Sequence, residues 1–423
     1  MSTQAVEPGG PLVGRVRVPG DKSISHRVLM LAGLAEGTST IRGLSDGDDV
    51  ACTRRIMEAL GTTVTEDGPC TLRVGGRALE PADGTLDVGN SGTGIRLLAG
   101  LLAGLPFRSV LDGDASIRRR PMDRVLEPLA LMGARVSGRD GSDLAPLTID
   151  GGGLRGIEYR LPVASAQVKG CVLFAGLSAD GPTTVIEDRP SRAHTEELMA
   201  AAGIPLVRET DGLLERVTVK PGCPVPFDHD VAGDPSQAAF WAVAASIVPG
   251  SEVVVANVYS GPARSGFIDV LARMGADLVH DPGSGDLTVR HVGLTGTVVT
   301  PDEVPGLVDE VPILAVAAAC AEGETVFEGV GELRIKESDR LATVESELGR
   351  MGADVRADGD TLVVRGGSLR GARVDSHHDH RIAMSCAVAG LVADGPTTVK
   401  GWEAVATSYP GFGAHLDALR GRG

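Results

Sequence analysis

Basic and hydroxyl side chains recur at the starts of apolar segments along this chain of 423 residues. The first segment opens with Lys22, Ser23 and Arg27, and the second opens at Gly92 and Thr93. Lysine and arginine bind phosphate and carboxylate groups, and glycine lets backbone N–H groups approach a ligand closely. Residues of these types at equivalent places favour a site for small molecules that carry several negative charges.

The second and third segments contribute further candidates. They are the run Arg118–Arg120 ahead of Pro121, then Ser165, Ala166 and Gln167, and finally Arg192. A run of arginines is usually solvated, but Arg120, directly before the proline, is placed to point at a ligand. Serine and glutamine are suited to orienting hydroxyl groups. Lys169 could equally be a surface charge and ranks below Gln167, and His194 is expected to be structural.

The second half of the chain supplies acidic groups that could transfer protons. Asp309 and Glu310 are expected to begin the fifth apolar helix, and Glu337 lies in the mixed-charge run Glu332–Arg340. Carboxyl groups serve as general acids and bases when they lie within hydrogen-bond reach of a substrate. Taken singly, Asp309 would be an ordinary helix cap, and the mixed-charge run would be an ion-paired helix start.

The histidines His377, His378 and His380 surround Asp379 and suggest a metal site at first sight. No second group of Cys, His or Asp at ligand spacing supports such a site. We therefore expect Asp379 to cap a helix that directs Arg381 at the ligand. We expect the protein to use neither metal nor other cofactor, and a metal-dependent hydrolase is the remote alternative.

Composition and charge exclude several classes of partner. The formal net charge is −16 at pH 7, whereas nucleic acids and anionic membranes attract proteins rich in Lys and Arg. No apolar run approaches the roughly 20 residues that span a bilayer, and the N-terminus lacks the regions of a secretory signal. The six cysteines are scattered without a C-x-x-C pair, as in reduced cytosolic proteins. We expect a cytoplasmic protein that binds neither nucleic acid nor membrane.

The apolar segments belong to a sixfold repeat with a period of about 70 residues. They span residues 20–37, 89–106, 164–181, 233–250, 309–323 and 379–395. Each is apolar nearly all round, which predicts a buried helix. A second, amphipathic helix follows in each repeat and is closed by a glycine, at Gly61, Gly133, Gly203, Gly275, Gly352 and Gly421.

Each repeat is predicted to run strand, helix, strand, helix, strand, strand, and six repeats divide into two domains of three. We expect residues 21–233 to form one domain, inserted into a discontinuous domain of residues 1–20 and 234–423. The N-terminal strand, residues 11–20, is expected to complete the shortened sixth repeat. If the buried helices of a domain run parallel, their N-termini together offer free N–H groups and positive partial charge. Two such domains would form a cleft suited to anions.

Six segments together resemble the family of 5-enolpyruvylshikimate-3-phosphate (EPSP) synthases. They are PGDKSISHR, GNSGTGIR, RRRP, SAQVK, IKESDR and DHRIAM, in the family's order and spread over the whole chain. The resemblance implies an α/β fold of two similar domains, each an inside-out α/β barrel of three βαβαββ repeats, with the active site in the interdomain cleft.

The resemblance also implies an activity. The enolpyruvyl (carboxyvinyl) group of phosphoenolpyruvate would be transferred to the 5-hydroxyl of shikimate 3-phosphate, with release of phosphate. The reaction would proceed by addition and elimination through a tetrahedral adduct. It belongs to the shikimate pathway, which leads to chorismate and the aromatic amino acids.

Residues at matching positions receive roles by the same resemblance. Shikimate 3-phosphate would contact Lys22, Ser23, Arg27, Ser165, Ala166, Gln167, Arg192, Asp309 and Lys336. Phosphoenolpyruvate would contact Lys22, Gly92, Thr93, Arg120, Gln167, Arg340 and Arg381. Asp309 is the expected base, Glu337 the expected proton donor and Lys22 the expected stabiliser of the adduct. The small Gly92 predicts inhibition by glyphosate, and we expect a monomer.

Two positions depart from the pattern of some family members, and two other functions are alternatives. Ala166 stands where some members have serine, and Thr407 stands where some have a lysine that contacts phosphoenolpyruvate. The sister enzyme that acts on UDP-N-acetylglucosamine has a C-x-x-G-x-R-P loop, which Asp114–Pro121 replaces here without cysteine. A non-catalytic anion-binding protein is disfavoured because Asp309 and Glu337 would repel its ligand.

Overall fold

The computed structural model describes residues 2–68, 70–261 and 263–421. The chain forms two compact units. The continuous unit runs from Gly20 to Val231, and the discontinuous unit contains the chain up to Pro19 and from Ala232 onward. Within the described residues, no helix is long and apolar enough to cross a membrane.

The continuous unit is built from helices and short strands in regular alternation. Before it come β1 (Thr3–Val6) and β2 (Val13–Val16) of the other unit. Its helices are α1 (Lys22–Leu34), α2 (Asp48–Ala59), α3 (Gly92–Ala103), α4 (Asp123–Leu131), α5 (Ala166–Gly176) and α6 (His194–Ala201). Its strands are β3 (Gly37–Arg42), β4 (Thr63–Glu66), β5 (Thr71–Gly76), β6 (Thr85–Asp87), β7 (Arg108–Asp112), β8 (Arg135–Ser137), β9 (Leu147–Asp150), β10 (Glu158–Arg160), β11 (Thr183–Glu187), β12 (Leu206–Asp211), β13 (Leu214–Val219) and β14 (Asp228–Asp230).

The discontinuous unit continues the same alternation. Its helices are α7 (Pro235–Ile247), α8 (Gly266–Arg273), α9 (Val311–Ala319), α10 (Arg340–Arg350), α11 (His380–Gly390) and α12 (Phe412–Leu419). Its remaining strands are β15 (Glu252–Val255), β16 (Asp277–His280), β17 (Leu287–Arg290), β18 (Val298–Val299), β19 (Glu324–Phe327), β20 (Asp354–Asp358), β21 (Thr361–Arg365), β22 (Arg373–Asp375) and β23 (Thr397–Lys400). The 3₁₀ turns Val308–Glu310 and Gly331–Ile335 precede α9 and α10.

The sheets share one strand pattern, as the sequence repeat predicts. In the sheet β6–β7–β9–β8, the first pair is parallel and the next two pairs are antiparallel. The parallel pair requires a crossover connection, which the buried helix α3 supplies. The sheets β10–β11–β13–β12 and β18–β19–β21–β20 repeat this order.

The first helix of each repeat lies in the core, which confirms the prediction from its apolar sequence. Every residue of α7 and of α9 is buried. Helices α3 and α5 pack so closely that a Cβ added at Gly100 would lie 2.1 Å from the carbonyl oxygen of Cys171. Only a glycine permits this backbone contact, so the two core helices pack directly against each other.

The second helix of each repeat ends at the predicted glycine. The backbone φ angle is +102° at Gly61 and +99° at Gly133, in the left-handed region that glycine adopts without strain. The α2 and α4 helices end two residues earlier, at Ala59 and Leu131.

The N-terminal strands complete different repeats from the one expected. The prediction that residues 11–20 complete the sixth repeat was wrong, because β2 pairs in parallel with β15 of the fourth repeat. The sixth repeat is completed by β1, which pairs antiparallel with β23. Within the described residues no strand follows β23, so the open edge of β23 accepts β1.

Candidate active site

Helix α1 begins beside α2 and presents a lysine. Asp21 caps α1 by accepting a backbone N–H at 2.9 Å, so the helix starts at Lys22. The Lys22 Nζ lies 2.8 Å from Asp49 Oδ2, and 15% of the Lys22 side chain is exposed. The ion pair holds the ammonium group at the N-terminus of α1, the positive end of the helix dipole. An anion bound there is stabilised by the ammonium charge and by the dipole.

Arg27 joins α1 to the starts of α5 and α6. Its Nε donates to Thr195 Oγ1 at 2.7 Å. Its Nη1 donates to the Ser23 carbonyl at 2.8 Å, and its Nη2 donates to the Ala166 carbonyl at 3.0 Å. Three helices, α1, α5 and α6, therefore fix the guanidinium, which is hydrogen-bonded to the carbonyl groups of Ser23 and Ala166.

Arg192 lies in the loop before α6, three residues ahead of Thr195, which accepts a hydrogen bond from Arg27. Burial lowers the pKa of Arg27 to about 10; the charge of Arg192 also lowers it, whereas Glu196 and Asp21 raise it. Two neighbouring cations repel each other unless an anion lies between them. The pair is suited to a phosphate or carboxylate group, and Ser165, which caps α5 through a backbone N–H at 3.4 Å, stands at the adjoining helix start.

The amide of Gln167 links α5 to α3. Its Nε2 donates to Thr93 Oγ1 at 3.0 Å, and its Oε1 accepts a hydrogen bond from Arg96 Nη1 at 2.9 Å. Ser91 caps α3 by accepting a backbone N–H at 3.0 Å. These bonds fix the α3 start, with Gly92 and Thr93, beside the α5 start.

Among the three consecutive arginines, Arg120 is buried while Arg118 and Arg119 are exposed. The Arg120 Nη2 donates to Ser116 Oγ at 3.1 Å. A Cβ added at Gly92 would lie 2.5 Å from Arg120 Nη1. The guanidinium thus lies against the bare backbone at the start of α3.

His26 connects three helices of the continuous unit, although sequence reasoning did not single it out. Its Nδ1 lies 2.7 Å from Thr53 Oγ1 of α2, and its Nε2 lies 3.1 Å from Ser91 Oγ. Burial, followed by the charges of Lys22 and Arg27, lowers the pKa of His26 well below its usual value. A neutral ring can donate on one side and accept on the other, so His26 ties the Lys22 segment to the start of α3.

In the discontinuous unit, Arg340 contacts three carboxylates. Its Nε donates to Asp379 Oδ2 at 2.8 Å. Its Nη2 donates to Glu337 Oε2 at 2.5 Å, and its Nη1 donates to Asp309 Oδ1 at 3.4 Å. Burial lowers the pKa of Arg340, but the charges of Asp379, Glu337 and Asp309 outweigh burial and raise it. One guanidinium therefore gathers both residues expected to transfer protons.

Asp309 lies ahead of α9 rather than at its first position. The expectation that Asp309 and Glu310 begin the helix was wrong, because both belong to the 3₁₀ turn Val308–Glu310, and α9 starts at Val311 without a side-chain cap. The Asp309 Oδ1 lies 3.9 Å from the Nζ of Lys336. Its carboxylate is thus engaged by cations instead of by a helix end.

Arg381 is carried by the start of α11. Asp379 caps this helix by accepting the Arg381 N–H at 2.9 Å, which confirms the prediction of an N-capped helix. The Arg381 Nη1 donates to the Asp309 carbonyl at 2.9 Å and lies 3.6 Å from Glu310 Oε1. Arg381, Asp309 and Arg340 are therefore neighbours within this unit.

Arg264 extends this network and was not predicted. Its Nη1 lies 3.3 Å from Glu310 Oε1, and its Nη2 lies 2.5 Å from Asp234 Oδ1. The side chains of Arg264 and Glu310 are buried. Sequence carries no signal for this role, because Arg264 stands in a polar loop like any solvated arginine.

The histidines of the DHRIAM region bind neighbouring side chains. His377 Nε2 lies 3.0 Å from Glu347 Oε1, and His380 Nδ1 lies 3.2 Å from Thr407 Oγ1. Across the described ranges of the chain, no three Cys, His, Asp or Glu side chains are grouped to hold a metal ion. Thr407 contributes a hydroxyl to this region and no charge.

Lys169 lies deep in the continuous unit. The alternative that it is a surface charge was wrong, because its side chain is 0% exposed. Its Nζ lies 2.7 Å from Glu187 Oε2 and 2.7 Å from Glu196 Oε1. His194, expected to be structural, is also buried.

Each unit supplies a different part of the chemistry. The continuous unit groups basic side chains with polar helix starts, which suits the binding of anionic oxygens. The discontinuous unit groups two carboxylates with cations, at Asp309, Lys336, Glu337, Arg340 and Arg381. This arrangement suits proton transfer next to a bound anion.

Comparison with known proteins points to one family. The model of the family EPSP synthase (3-phosphoshikimate 1-carboxyvinyltransferase) matches residues 6–416. A 3-phosphoshikimate 1-carboxyvinyltransferase of Herpetosiphon aurantiacus is 48% identical over 429 residues and is aligned over 99% of each chain. That of Synechococcus sp. strain JA-3-3Ab is 49% identical over an alignment of 428 positions, which covers 98% of this chain and 96% of the relative.

Solved structures agree on the fold. An EPSP synthase from Acinetobacter baumannii superposes with a TM-score of 0.85 at 39% identity, over 99% of this chain and 98% of that one. The enolpyruvyl transferase NikO from Streptomyces tendae superposes with a TM-score of 0.79 at 20% identity, over 98% and 96% of the two chains, and supports the fold alone. The predicted α/β fold of two similar domains built from βαβαββ repeats is confirmed.

Proposed function

The chain belongs to the EPSP synthase family, and from that premise we propose how its residues divide the reaction. The protein is a transferase of the shikimate pathway, which moves the enolpyruvyl group of phosphoenolpyruvate to shikimate 3-phosphate and releases phosphate. The division between substrates follows the two clusters of side chains, one in each unit, and both clusters act on the same pair of substrates.

Shikimate 3-phosphate is assigned mainly to the continuous unit. Its anionic groups bind Lys22, Arg27 and Arg192. Its hydroxyls bind Ser23 at the start of α1 and the polar start of α5, at Ser165, Ala166 and Gln167. The support is the hydrogen bond from Arg27 to Thr195, three residues after Arg192. Burial, and to a smaller extent the charge of Arg192, lowers the pKa of Arg27 to about 10, and two cations that act on each other favour an anion between them. Ala166 contributes through its backbone, where serine-bearing relatives would add a hydroxyl.

Phosphoenolpyruvate is assigned to cations of both units. Gly92, Thr93 and Arg120 bind it from the start of α3, together with Lys22 and Gln167. Arg340 and Arg381 bind it in the discontinuous unit. Arginine suits this task because its planar fork binds carboxylate and phosphate oxygens in pairs.

Asp309 and Glu337 carry the protons. With Lys336 beside it, Asp309 accepts the proton of the 5-hydroxyl, and Glu337 donates a proton to the methylene carbon of phosphoenolpyruvate. The hydroxyl oxygen then bonds to the adjacent carbon and forms a tetrahedral adduct, which Lys22 and the arginines stabilise. In the elimination step the bond from carbon to the phosphate oxygen breaks, the methyl group returns a proton to Glu337, and the leaving phosphate takes the proton from Asp309.

The contact of Arg340 with both acids is the observation that carries this proposal. A carboxylate bound to Arg340 competes with Glu337 for the guanidinium. Once Glu337 loses its cation, it binds a proton more readily. Binding of phosphoenolpyruvate would thereby prepare Glu337 as the donor.

The test is release of inorganic phosphate from phosphoenolpyruvate in EDTA, with shikimate 3-phosphate or UDP-N-acetylglucosamine as acceptor. We expect release with shikimate 3-phosphate alone. Release only with the nucleotide sugar would identify the sister reaction and refute the shikimate-side assignments. Activity that EDTA abolishes and added metal restores would refute the metal-free mechanism.

We also propose that the protein is cytoplasmic, on the basis of six scattered cysteines without a C-x-x-C pair, and that it is a monomer. Light scattering on the purified protein should give a mass near the 43.5 kDa of one chain. Twice that mass would refute the monomer.

A further inference from the structure

Three charged side chains are buried together behind the shikimate-side arginines. Lys169 of α5, Glu187 at the end of β11 and Glu196 of α6 have exposed fractions of 0%, 1% and 2%. The Lys169 Nζ lies 2.7 Å from an oxygen of each glutamate. Burying an ion costs several kcal/mol, and apolar side chains of similar size commonly give equal or greater stability. This buried cluster therefore calls for a role beyond filling the core.

The buried cluster holds the peptide groups that precede Arg192. Glu187 Oε2 accepts a hydrogen bond from the Ser191 N–H at 3.3 Å. Lys169 Nζ donates to the Ser191 carbonyl at 3.4 Å. Ser191 lies in the loop between β11 and α6, so these two bonds fix the point from which Arg192 extends.

The buried cluster also supports Arg27. Thr195, the residue before Glu196, accepts a hydrogen bond from Arg27 Nε at 2.7 Å. The charge of Glu196 opposes the effect of burial, which lowers the pKa of Arg27. Glu196 is thus one of two acidic groups, with Asp21, whose charge favours the charged form of Arg27, a side chain that is 1% exposed. Burial raises the pKa of Glu196 itself, and the charge of Lys169 opposes that rise.

We propose that Lys169, Glu187 and Glu196 are positioning residues that set Arg27 and Arg192 for the anionic groups of shikimate 3-phosphate. The three side chains are too deeply buried to touch a substrate, and they act through the two arginines. The inference rests on the proposed assignment of Arg27 and Arg192 to this substrate.

Glu196→Gln is the sharpest test, because it preserves shape and leaves Lys169 paired with Glu187. We expect the Kd for shikimate 3-phosphate, measured by titration calorimetry, to rise about tenfold. The kcat and the KM for phosphoenolpyruvate should stay within about twofold of the wild-type values. A purely structural role would instead lower the unfolding temperature and leave the Kd of the folded protein unchanged.

The matched control is Glu197→Gln, the same chemical change at the next residue of α6, where the side chain is exposed. We expect its Kd for shikimate 3-phosphate to equal that of the wild type. An equal rise in both variants would refute a specific role for Glu196.

A second variant, Lys169→Met with Glu187→Gln, removes one cation and one anion together and abolishes the bond from Lys169 to the Ser191 carbonyl. It should weaken shikimate 3-phosphate binding about tenfold. Adding Arg192→Ala should then cost less than Arg192→Ala costs in the wild type, because coupled residues are not additive. If this variant does not fold, Glu196→Gln decides alone.

Arg192→Ala in the wild-type background separates the two possible failures. Unchanged shikimate 3-phosphate binding in Arg192→Ala would refute the substrate assignment itself. Weakened binding in Arg192→Ala, with wild-type affinity in Glu196→Gln, would refute the positioning role alone.

Discussion

At the scale of single residues, Asp309 and Glu337 share the guanidinium of Arg340, yet each has a different task. We expect Asp309→Asn and Glu337→Gln each to lower kcat by about 10²- to 10⁴-fold, the usual contribution of a general acid or base. Shikimate 3-phosphate should still bind, because most of its assigned contacts lie in the continuous unit.

Phosphate release and binding calorimetry measure these two effects. Glu332→Gln is the control, since Glu332 Oε1 also lies near the Nζ of Lys336, at 3.5 Å, and Glu332 has no assigned role in proton transfer. Near-normal turnover in Asp309→Ala would overturn the assignment of the base.

Gly92 decides how much space lies beside Arg120. An alanine Cβ there would lie 2.5 Å from Arg120 Nη1 and 3.3 Å from Arg96 Nη1, so both guanidinium groups would have to move. We expect Gly92→Ala to raise the KM for phosphoenolpyruvate about tenfold and to weaken inhibition by glyphosate. Arg118→Ala, at an exposed neighbour of Arg120, is the control. It should leave the KM for phosphoenolpyruvate and the inhibition by glyphosate unchanged.

Wild-type turnover in glyphosate provides the complementary measurement for Gly92. We expect inhibition that added phosphoenolpyruvate relieves. Full activity at about 1 mM glyphosate would contradict the space inferred at Gly92.

Some residues of the site are readable in sequence because they stand at a repeated place, the start of a core helix. Lys22, Gly92 and Gln167 are of this kind. Lys169 stands equally near a helix start, but its acidic partners follow 18 and 27 residues later and look like ordinary surface charges. Arg264 depends on contacts with Asp234 and Glu310 that only the folded chain brings together.

At the scale of elements, His26 couples the pH of the medium to the packing of α1, α2 and α3. The folded protein holds the pKa of His26 well below its usual value, whereas the unfolded chain restores that value. As the pH falls below about 6.5, the unfolded state binds a proton that the folded state does not, and stability falls by up to about 1.4 kcal/mol per pH unit.

Urea unfolding of the wild type and of His26→Gln at pH 7 and pH 5.5 measures this effect. We expect the wild type to lose more stability on acidification than the glutamine variant loses. An equal loss in the two proteins would show that His26 is protonated in the folded state.

The contact between α3 and α5 is set by Gly100. An alanine Cβ would lie 2.1 Å from the Cys171 carbonyl oxygen, and because backbone cannot move as a flexible side chain does, the helices must separate. We expect Gly100→Ala to destabilise the protein by about 1–3 kcal/mol. Gly349→Ala is the control, since this exposed glycine of α10 has nothing within 4 Å of the added Cβ; it should stabilise by about 0.5–1 kcal/mol.

Element order follows from local sequence, whereas strand partners do not. Polar caps, apolar runs and closing glycines predict the buried and outer helices correctly, because each signal lies within one element. The partner of β2 depends on which sheet edge lies open in the folded chain, and that edge belongs to β15. The strand that completes the sixth repeat is β1, which precedes β2. The 3₁₀ turn before α9 likewise escaped prediction, because Asp309 there bonds to Arg340 and not to the helix end.

At the scale of the whole molecule, the continuous unit is self-contained. Its last strand, β14, pairs with β3 of its first repeat, and a Cβ added at Gly20 would lie 2.9 Å from a methyl carbon of Val231. We expect the fragment of residues 20–231 to fold alone with a cooperative thermal transition. It should bind shikimate 3-phosphate more weakly than the whole chain, because Asp309 and Lys336 are missing.

Circular dichroism and calorimetry on the purified fragment test this expectation. The same fragment with Arg192→Ala is the control for specific binding. A fragment without a cooperative transition would show that the continuous unit depends on the rest of the chain.

The pairing of β1 with β23 sets an order of events during synthesis on the ribosome. Thr3 lies upstream of the whole continuous unit, and its partner Lys400 lies downstream of it. Strand β2 depends in the same way on Glu252. The continuous unit can therefore emerge and close on itself while β1 and β2 are still unpaired. The pair of β1 and β23 forms only after Lys400 has been made, so a truncated product that stops before β23 leaves β1 without this partner.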